Sequence, residues 1–178
     1  MMLKTLVFSL SMLDGSALAD VQSCKNLFDR APQVFGDLNQ VGSNEYESEH
    51  PGLGYSAIFA DPSSKITVFF YDERQKNISA EMALESFKQA ARDIASVAER
   101  RGTTLGEIKA YQVRDASQVL PLRAEVETSD GVSELLAVGV VDDCIVKLRF
   151  TAQFPMEKAQ VWMQVLTDYV NKGYRSPA

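Results

Sequence analysis

The chain has 178 residues, 46% of them hydrophobic, which is long enough for one domain with a full core. Its 24 acidic and 18 basic residues give a net charge of −6, which argues against nucleic acid and anionic membrane surfaces as main partners. Beyond the N-terminus, no apolar run approaches the roughly 20 residues that a membrane-spanning helix needs.

The N-terminus has the layout of a secretory signal peptide. One lysine precedes a short apolar run at residues 6–13, and small side chains at Ala17 and Ala19 fit a signal-peptidase site. We therefore predict a signal peptide at residues 1–19 with cleavage after Ala19, and a single α+β domain at residues 20–178. This places the mature protein in the periplasm or outside the cell.

Two alternatives to a cleaved signal peptide stay open. Asp14 is unusual between an apolar run and a cleavage site. The alternatives are that residues 1–19 form a cytoplasmic tail or that the start codon is misassigned. Cys24 lies near the position of a lipid-attachment cysteine, but Gln22 stands where such a site has a small residue.

The first half of the predicted domain contains one helix and one β-hairpin. Apolar residues at helical spacing predict a helix over residues 20–31, and the polar residues 36–52 predict a loop with at most one edge strand. The side chains of residues 53–60 alternate in the way typical of a strand, and residues 65–71 are rich in β-branched and aromatic side chains. A turn at residues 61–64 separates these two segments. The first of these strands places Tyr55, Ala57 and Phe59 on one face.

The clearest predicted helix covers residues 79–101. Ser79 is a suitable N-cap, and Gly102 can take the left-handed conformation that ends a helix. One apolar stripe has helical spacing and is expected to pack on a sheet: Leu84, Phe87, Ala91, Ile94 and Ala98.

Residues 105–153 predict an antiparallel meander followed by a closing helix. Apolar and charged residues alternate over residues 122–127, which predicts a strand with one solvated face, and residues 135–141 predict a central strand. Pro155 opens the last helix, whose predicted core positions are Trp162, Val165, Leu166, Tyr169 and Val170. Because strands occur in runs, the fold class is α+β, an antiparallel sheet covered by helices.

The two cysteines, Cys24 and Cys144, are interpreted through the predicted compartment. In an exported protein one cysteine pair predicts a structural disulfide, here between the first helix and the strand that follows Asp142 and Asp143. Two buried free thiols are the alternative. A redox-active pair is disfavoured because there is no C-x-x-C motif and no basic residue beside either cysteine.

No set of residues in the sequence forms a recognisable catalytic or metal site. His50 is the only histidine and lies in a polar, glutamate-containing loop, so we expect neither a metal nor a cofactor. No serine lies in a G-x-S-x-G elbow. The acidic pairs at residues 72–73 and 142–143 fit turns at strand ends, or alternatively a hydrolase. Tyr55, Phe59 and Phe70 form an aromatic group that is either core or the lining of a ligand pocket.

Two short motifs and the element order carry a resemblance. Residues 52–56 (Gly-Leu-Gly-Tyr-Ser), followed by residues 68–72 (Val-Phe-Phe-Tyr-Asp), resemble a recurring pattern in uncharacterised exported bacterial proteins. Over residues 50–172 the element order is similar to the PsbP-like α/β sandwich. That resemblance implies an accessory or binding protein and brings no catalytic residues with it.

The sequence therefore predicts an exported, non-catalytic accessory or binding protein. Its partner, a protein or a small molecule, is unspecified. The alternatives are a small-molecule or lipid carrier with an aromatic pocket, and a hydrolase that uses the acidic pairs.

Overall fold

Alternating apolar residues along the strands are explained by one sheet with a helical layer on each face. A computed structural model describes residues 17–115 and 118–174. Within these residues there are three helices and eight strands: α1 (Ala17–Asp29), β1 (Val34–Phe35), β2 (Leu38–Glu45), β3 (Tyr55–Ala60), β4 (Ser64–Tyr71), α2 (Ala80–Arg100), β5 (Lys109–Gln112), β6 (Leu122–Glu127), β7 (Ser133–Val141), β8 (Cys144–Ala152) and α3 (Met156–Tyr174). The predicted α+β class is confirmed.

The sheet is built from two antiparallel meanders that meet at β4 and β8. Its strand order is β1-β2-β3-β4-β8-β7-β6-β5, and every pairing is antiparallel. The β4–β8 pairing, with Phe69 opposite Lys147, is the join between the N-terminal and C-terminal halves. Helix α2 connects the two meanders.

The two faces of the sheet carry different helices. Ile66 and Phe70 on β4 and Leu148 on β8 point toward α1 and α3 and belong to the larger core. Leu136 and Ile145 point the other way, where α2 packs mainly on β6 and β7. Helix α2 covers only the β6 and β7 part of this sheet face. The neighbouring part of the same face, on β4 and β8, is therefore left partly open.

The predicted loop at residues 36–52 contains one strand, β2, close to the edge of the sheet, as the sequence allows. Most of β2 is exposed because it lies next to the sheet edge, with only the short β1 beyond it. A strand at that position needs few apolar residues, so its sequence resembles a loop.

Helix α2 has the predicted cap but a slightly different buried face. The Ser79 hydroxyl accepts a hydrogen bond from the Met82 amide, and Phe87, Ile94 and Ala98 are buried as expected. The predicted stripe is wrong at Leu84, which is exposed, and Ala91, which is half-buried. Their places on the sheet are taken by three small residues, Ala83, Ser86 and Ala90.

The face of β6 predicted to be solvated is covered by α3. Arg123 and Glu125 are only 7% and 8% exposed. Glu125 accepts a hydrogen bond of 2.6 Å from the Gln160 side chain of α3, and Arg123 donates to Gln164. Charged residues at alternate positions therefore face polar residues of a helix here.

The closing helix begins after Pro155 and presents a narrower apolar face than predicted. Leu166 and Val170 are buried and Trp162 is partly buried, whereas Val165 is 49% exposed. The side chain of Tyr169 lies outside the described residues. Ala159 and Met163 complete the buried face.

Within the described part of the chain, no helix is both long and apolar enough to cross a membrane. The predicted signal peptide falls largely outside the described residues; only residues 17–19 of it lie inside them, at the start of α1.

Candidate functional site

The two cysteines lie at disulfide distance, as their number and the predicted export suggest. The Sγ atoms of Cys24 in α1 and Cys144 in β8 are 2.11 Å apart, and both residues are buried. The pair joins α1 to the sheet beside the β7–β8 turn. There Asp142 and Asp143 both have positive φ, and Arg30, directly after α1, lies 3.7 Å from the carboxylate of Asp142.

The aromatic residues considered as a pocket are packed in the core. Tyr55, Phe59 and Phe70 are all buried. Phe28 of α1 stacks on Tyr55 with 5.2 Å between ring centroids, and Phe35 makes an edge contact with Phe59 at the same distance. Because α1 and the edge of the sheet occupy the space in front of these rings, they line none of the five cavities described for this chain. The aromatic pocket that the carrier hypothesis places at these three rings is therefore filled by core packing.

The acidic residues serve local structure or lie in different cavities. Asp72 is buried and accepts a hydrogen bond from the Arg74 amide. Glu73 lines one cavity and Asp142 another, and none of the five cavities contains both acidic pairs. His50 is exposed, and in residues 17–115 and 118–174 no group of three or more His, Cys, Asp or Glu is placed to hold a metal.

A cavity that sequence reasoning missed lies where α2 leaves the sheet partly uncovered. We call this cavity of about 290 Å³ the Lys147 cleft. Its lining combines sheet residues (Phe69, Tyr71 and Lys147), residues of α2 (Ser86, Gln89, Ala90 and Asp93) and residues of the flanking loops (Tyr46, Leu53 and Glu73).

The floor of the cleft is formed by a lysine between aromatic rings. The Nζ atom of Lys147 lies 4.5 Å from the ring centroid of Phe69 and 5.0 Å from that of Tyr71, within the range of cation–π attraction. It makes no hydrogen bond or ion pair with the residues that the structure describes. Burial lowers the pKa of Lys147, and the carboxylate of Asp93 opposes part of that shift.

The back wall of the cleft is a buried contact between the sheet and α2. The Tyr71 hydroxyl hydrogen-bonds the Ser86 hydroxyl. Burial raises the pKa of Tyr71 to about 12, so the phenol is neutral at physiological pH. Since its hydroxyl already has a partner, Tyr71 forms a fixed wall beside Lys147, whose ammonium group has neither a hydrogen bond nor an ion pair among the described residues.

Two loops with constrained backbones form the mouth of the cleft. In the loop at residues 46–54, the Glu47 carboxylate accepts hydrogen bonds from the amides of Gly52 and Gly54 at 2.9–3.0 Å. This arrangement holds Leu53 in an exposed position on the rim, with 53% of its surface accessible. The loop is therefore organised by its own backbone.

The second loop follows β4 and is tied to the first. Glu73 and Arg74 have φ of 53° and 60°, values that non-glycine residues rarely adopt. The Glu73 amide donates to the Gly52 carbonyl, and Arg74 Nε donates to the Pro51 carbonyl at 2.8 Å. Because unfavourable backbone conformations often occur at functional sites, the mouth of the cleft is a candidate for one.

Comparisons with known proteins give structural similarity at low sequence identity. No family model and no curated protein matches the chain. The chain is similar to the solution structure of cyanobacterial PsbP (CyanoP) from Synechocystis sp. PCC 6803, with 13% identity, a TM-score of 0.43, and coverage of 76% of this chain and 81% of that one. At this identity and TM-score the similarity carries no argument, so the PsbP-like resemblance stays an expectation from the sequence, and we take no function, partner or site residue from it.

Proposed function

We propose that this chain is an exported binding protein without catalysis of its own, and that the Lys147 cleft is its ligand site. The observation that carries the proposal is the Lys147 ammonium group, which is partly buried against the rings of Phe69 and Tyr71 and has no hydrogen bond or ion pair in the described structure. A charge held in this way destabilises the folded state, because desolvation is only partly compensated. A ligand that pairs with Lys147 would supply the missing interaction.

The size and composition of the cleft support a small-molecule ligand. A volume of about 290 Å³ is near the lower end of the range for ligand pockets. Apolar surface from Phe69 and Leu53 is combined with a few charged groups, as in sites that bind and orient a small molecule. A lipid with long acyl chains would need a larger cavity, so a small metabolite is favoured over the lipid of the carrier hypothesis.

Export is the second half of the proposal. Cleavage after Ala19 would remove the first three residues of α1 and leave Cys24 and Leu27 in their buried positions. The cysteine pair would then form in an oxidising compartment, periplasmic or extracellular.

Mass spectrometry of protein isolated from the extracytoplasmic fraction tests export. We expect the mass of residues 20–178 less two hydrogens, and the gain of two hydrogens after reduction. A full-length mass with free thiols would contradict the proposal.

The same preparation tests the cleft. The lysines are labelled with ¹³C-methyl groups, and the Lys147 resonance is assigned by its absence in Lys147→Met. We expect the low-molecular-weight fraction of the producing culture to shift that resonance. The resonance of Lys65, an exposed lysine on β4, serves as the control and should not move. No shift at Lys147 with any fraction of the extract would refute a ligand site in the cleft.

A further inference from the structure

We infer that the Lys147 cleft binds a zwitterion, an α-amino acid with an apolar side chain. This inference rests on the proposed function and specifies its ligand. It comes from the placement of charges around the cavity, which no local sequence pattern contains.

Groups of both charges line one small cavity without neutralising each other. Lys147 supplies a cation at the floor, while Asp93 on α2 and Glu73 after β4 supply carboxylates on the walls. Both carboxylates interact electrostatically with Lys147, yet neither lies within the 4.0 Å of an ion pair among the described residues. The cavity therefore separates the two charges by a space that a ligand can enter.

The separate positions of the cation and the two carboxylates, and not their sum, disfavour a ligand with a single charge. An organic anion on Lys147 would also face the carboxylates of Asp93 and Glu73, and an organic cation would face the ammonium group of Lys147. A molecule with a carboxylate and an ammonium group can satisfy both. The contact with Lys147, which is partly desolvated, is stronger than the same contact in water, whereas Asp93 and Glu73 are exposed.

The remaining surface fits an apolar side chain. Phe69 and Ala90 present apolar wall, and Leu53 is held on the rim with about half of its surface exposed. Asp93 is exposed at the edge of the cleft and accepts a 2.9 Å hydrogen bond from the side chain of Gln89, one helical turn earlier. The ligand carboxylate would contact Lys147 Nζ on its open side, away from the rings of Phe69 and Tyr71.

Isothermal titration with three probes of similar shape tests the inference. The mature, oxidised protein is titrated with L-leucine, with 4-methylpentanoate, which lacks the amine, and with 3-methylbutylamine, which lacks the carboxylate. We expect L-leucine to bind, and each of the other two to bind at least about tenfold more weakly, since one charge-assisted contact is lost.

Variants identify the contacts. Lys147→Met should weaken L-leucine and 4-methylpentanoate about tenfold or more, and it should not weaken 3-methylbutylamine, which loses a like charge from its site. Asp93→Asn should show the reverse selectivity. Lys65→Met and Glu99→Gln alter exposed charges on β4 and α2 outside the cleft lining and should change none of the three affinities. Circular dichroism of each variant establishes that it is folded.

The outcomes separate the ligand class from the site. Binding of 4-methylpentanoate as tight as that of L-leucine overturns the zwitterion and leaves a site for organic anions. If none of the probes shifts the ¹³C-methyl resonance of Lys147 but the culture extract does, the inference fails and the proposed function stands. If the extract also leaves that resonance unmoved, the proposed function fails as well.

Discussion

Gly54 holds the mouth of the Lys147 cleft against β4, and replacing it with alanine should destabilise the fold strongly. Gly54 has φ of 62°, and a Cβ atom added there would lie 1.9 Å from the Phe70 carbonyl oxygen. Ordinary contacts begin at 3.4 Å, so the backbone of the loop or of β4 would have to move. The left-handed conformation costs alanine about 1–2 kcal/mol, and overpacking adds about 1–3 kcal/mol.

The free energy of unfolding should therefore fall by about 2–5 kcal/mol, which for a domain of this length corresponds to a drop in Tm of roughly 4–20 °C. Gly131 provides a matched control, because it has φ of 77° but nothing within 4 Å of an added Cβ. Gly131→Ala should show the left-handed cost alone, about 1–2 kcal/mol.

Thermal unfolding followed by circular dichroism measures both variants. Gly54→Ala should also shift the ¹³C-methyl resonance of Lys147, because the loop that carries Leu53 must move. Equal losses of stability in Gly54→Ala and Gly131→Ala would refute the close approach of the loop to β4.

Three further predictions concern buried charges and the cysteine pair. Lys147→Met should raise Tm at pH 7. Folding lowers the pKa of Lys147, so the unfolded chain holds the proton more tightly than the folded one. The stability of wild type therefore rises with pH from the folded pKa upward, and the advantage of the variant should vanish near the unfolded value of 10.5. An unchanged Tm at pH 7 would contradict the desolvation of that amine. Replacing Cys24 and Cys144 together by alanine should cost about 2–5 kcal/mol, measured by urea unfolding against wild type, and reductant should destabilise wild type only. Glu134→Gln should cost about 1–3 kcal/mol by the same method, since the buried carboxylate accepts hydrogen bonds from Arg149 and Thr151; a variant as stable as wild type would count against this.

Several local features of the fold were predictable from the sequence. The hairpin of β3 and β4 follows from alternation around the turn at residues 61–64, and helix α2 begins after the predicted cap Ser79. The alternation over residues 122–127 correctly predicted strand β6, yet its charged face is buried because α3 supplies Gln160 and Gln164 as partners. Periodicity identifies a strand and its two faces, and it cannot tell what covers them.

The sequence by itself determined the α+β class, the element order from β3 to α3 and the expectation that two cysteines would pair, because periodicity, capping and composition act over short stretches of chain. Only the tertiary structure decided that Tyr55 and Phe59 are core and that Lys147 lies in a cleft. Lys147 meets Phe69 through the pairing of β4 with β8, and Asp93 joins them through the docking of α2. These residues are far apart in the chain, and their joint environment exists only once both halves of the sheet have come together.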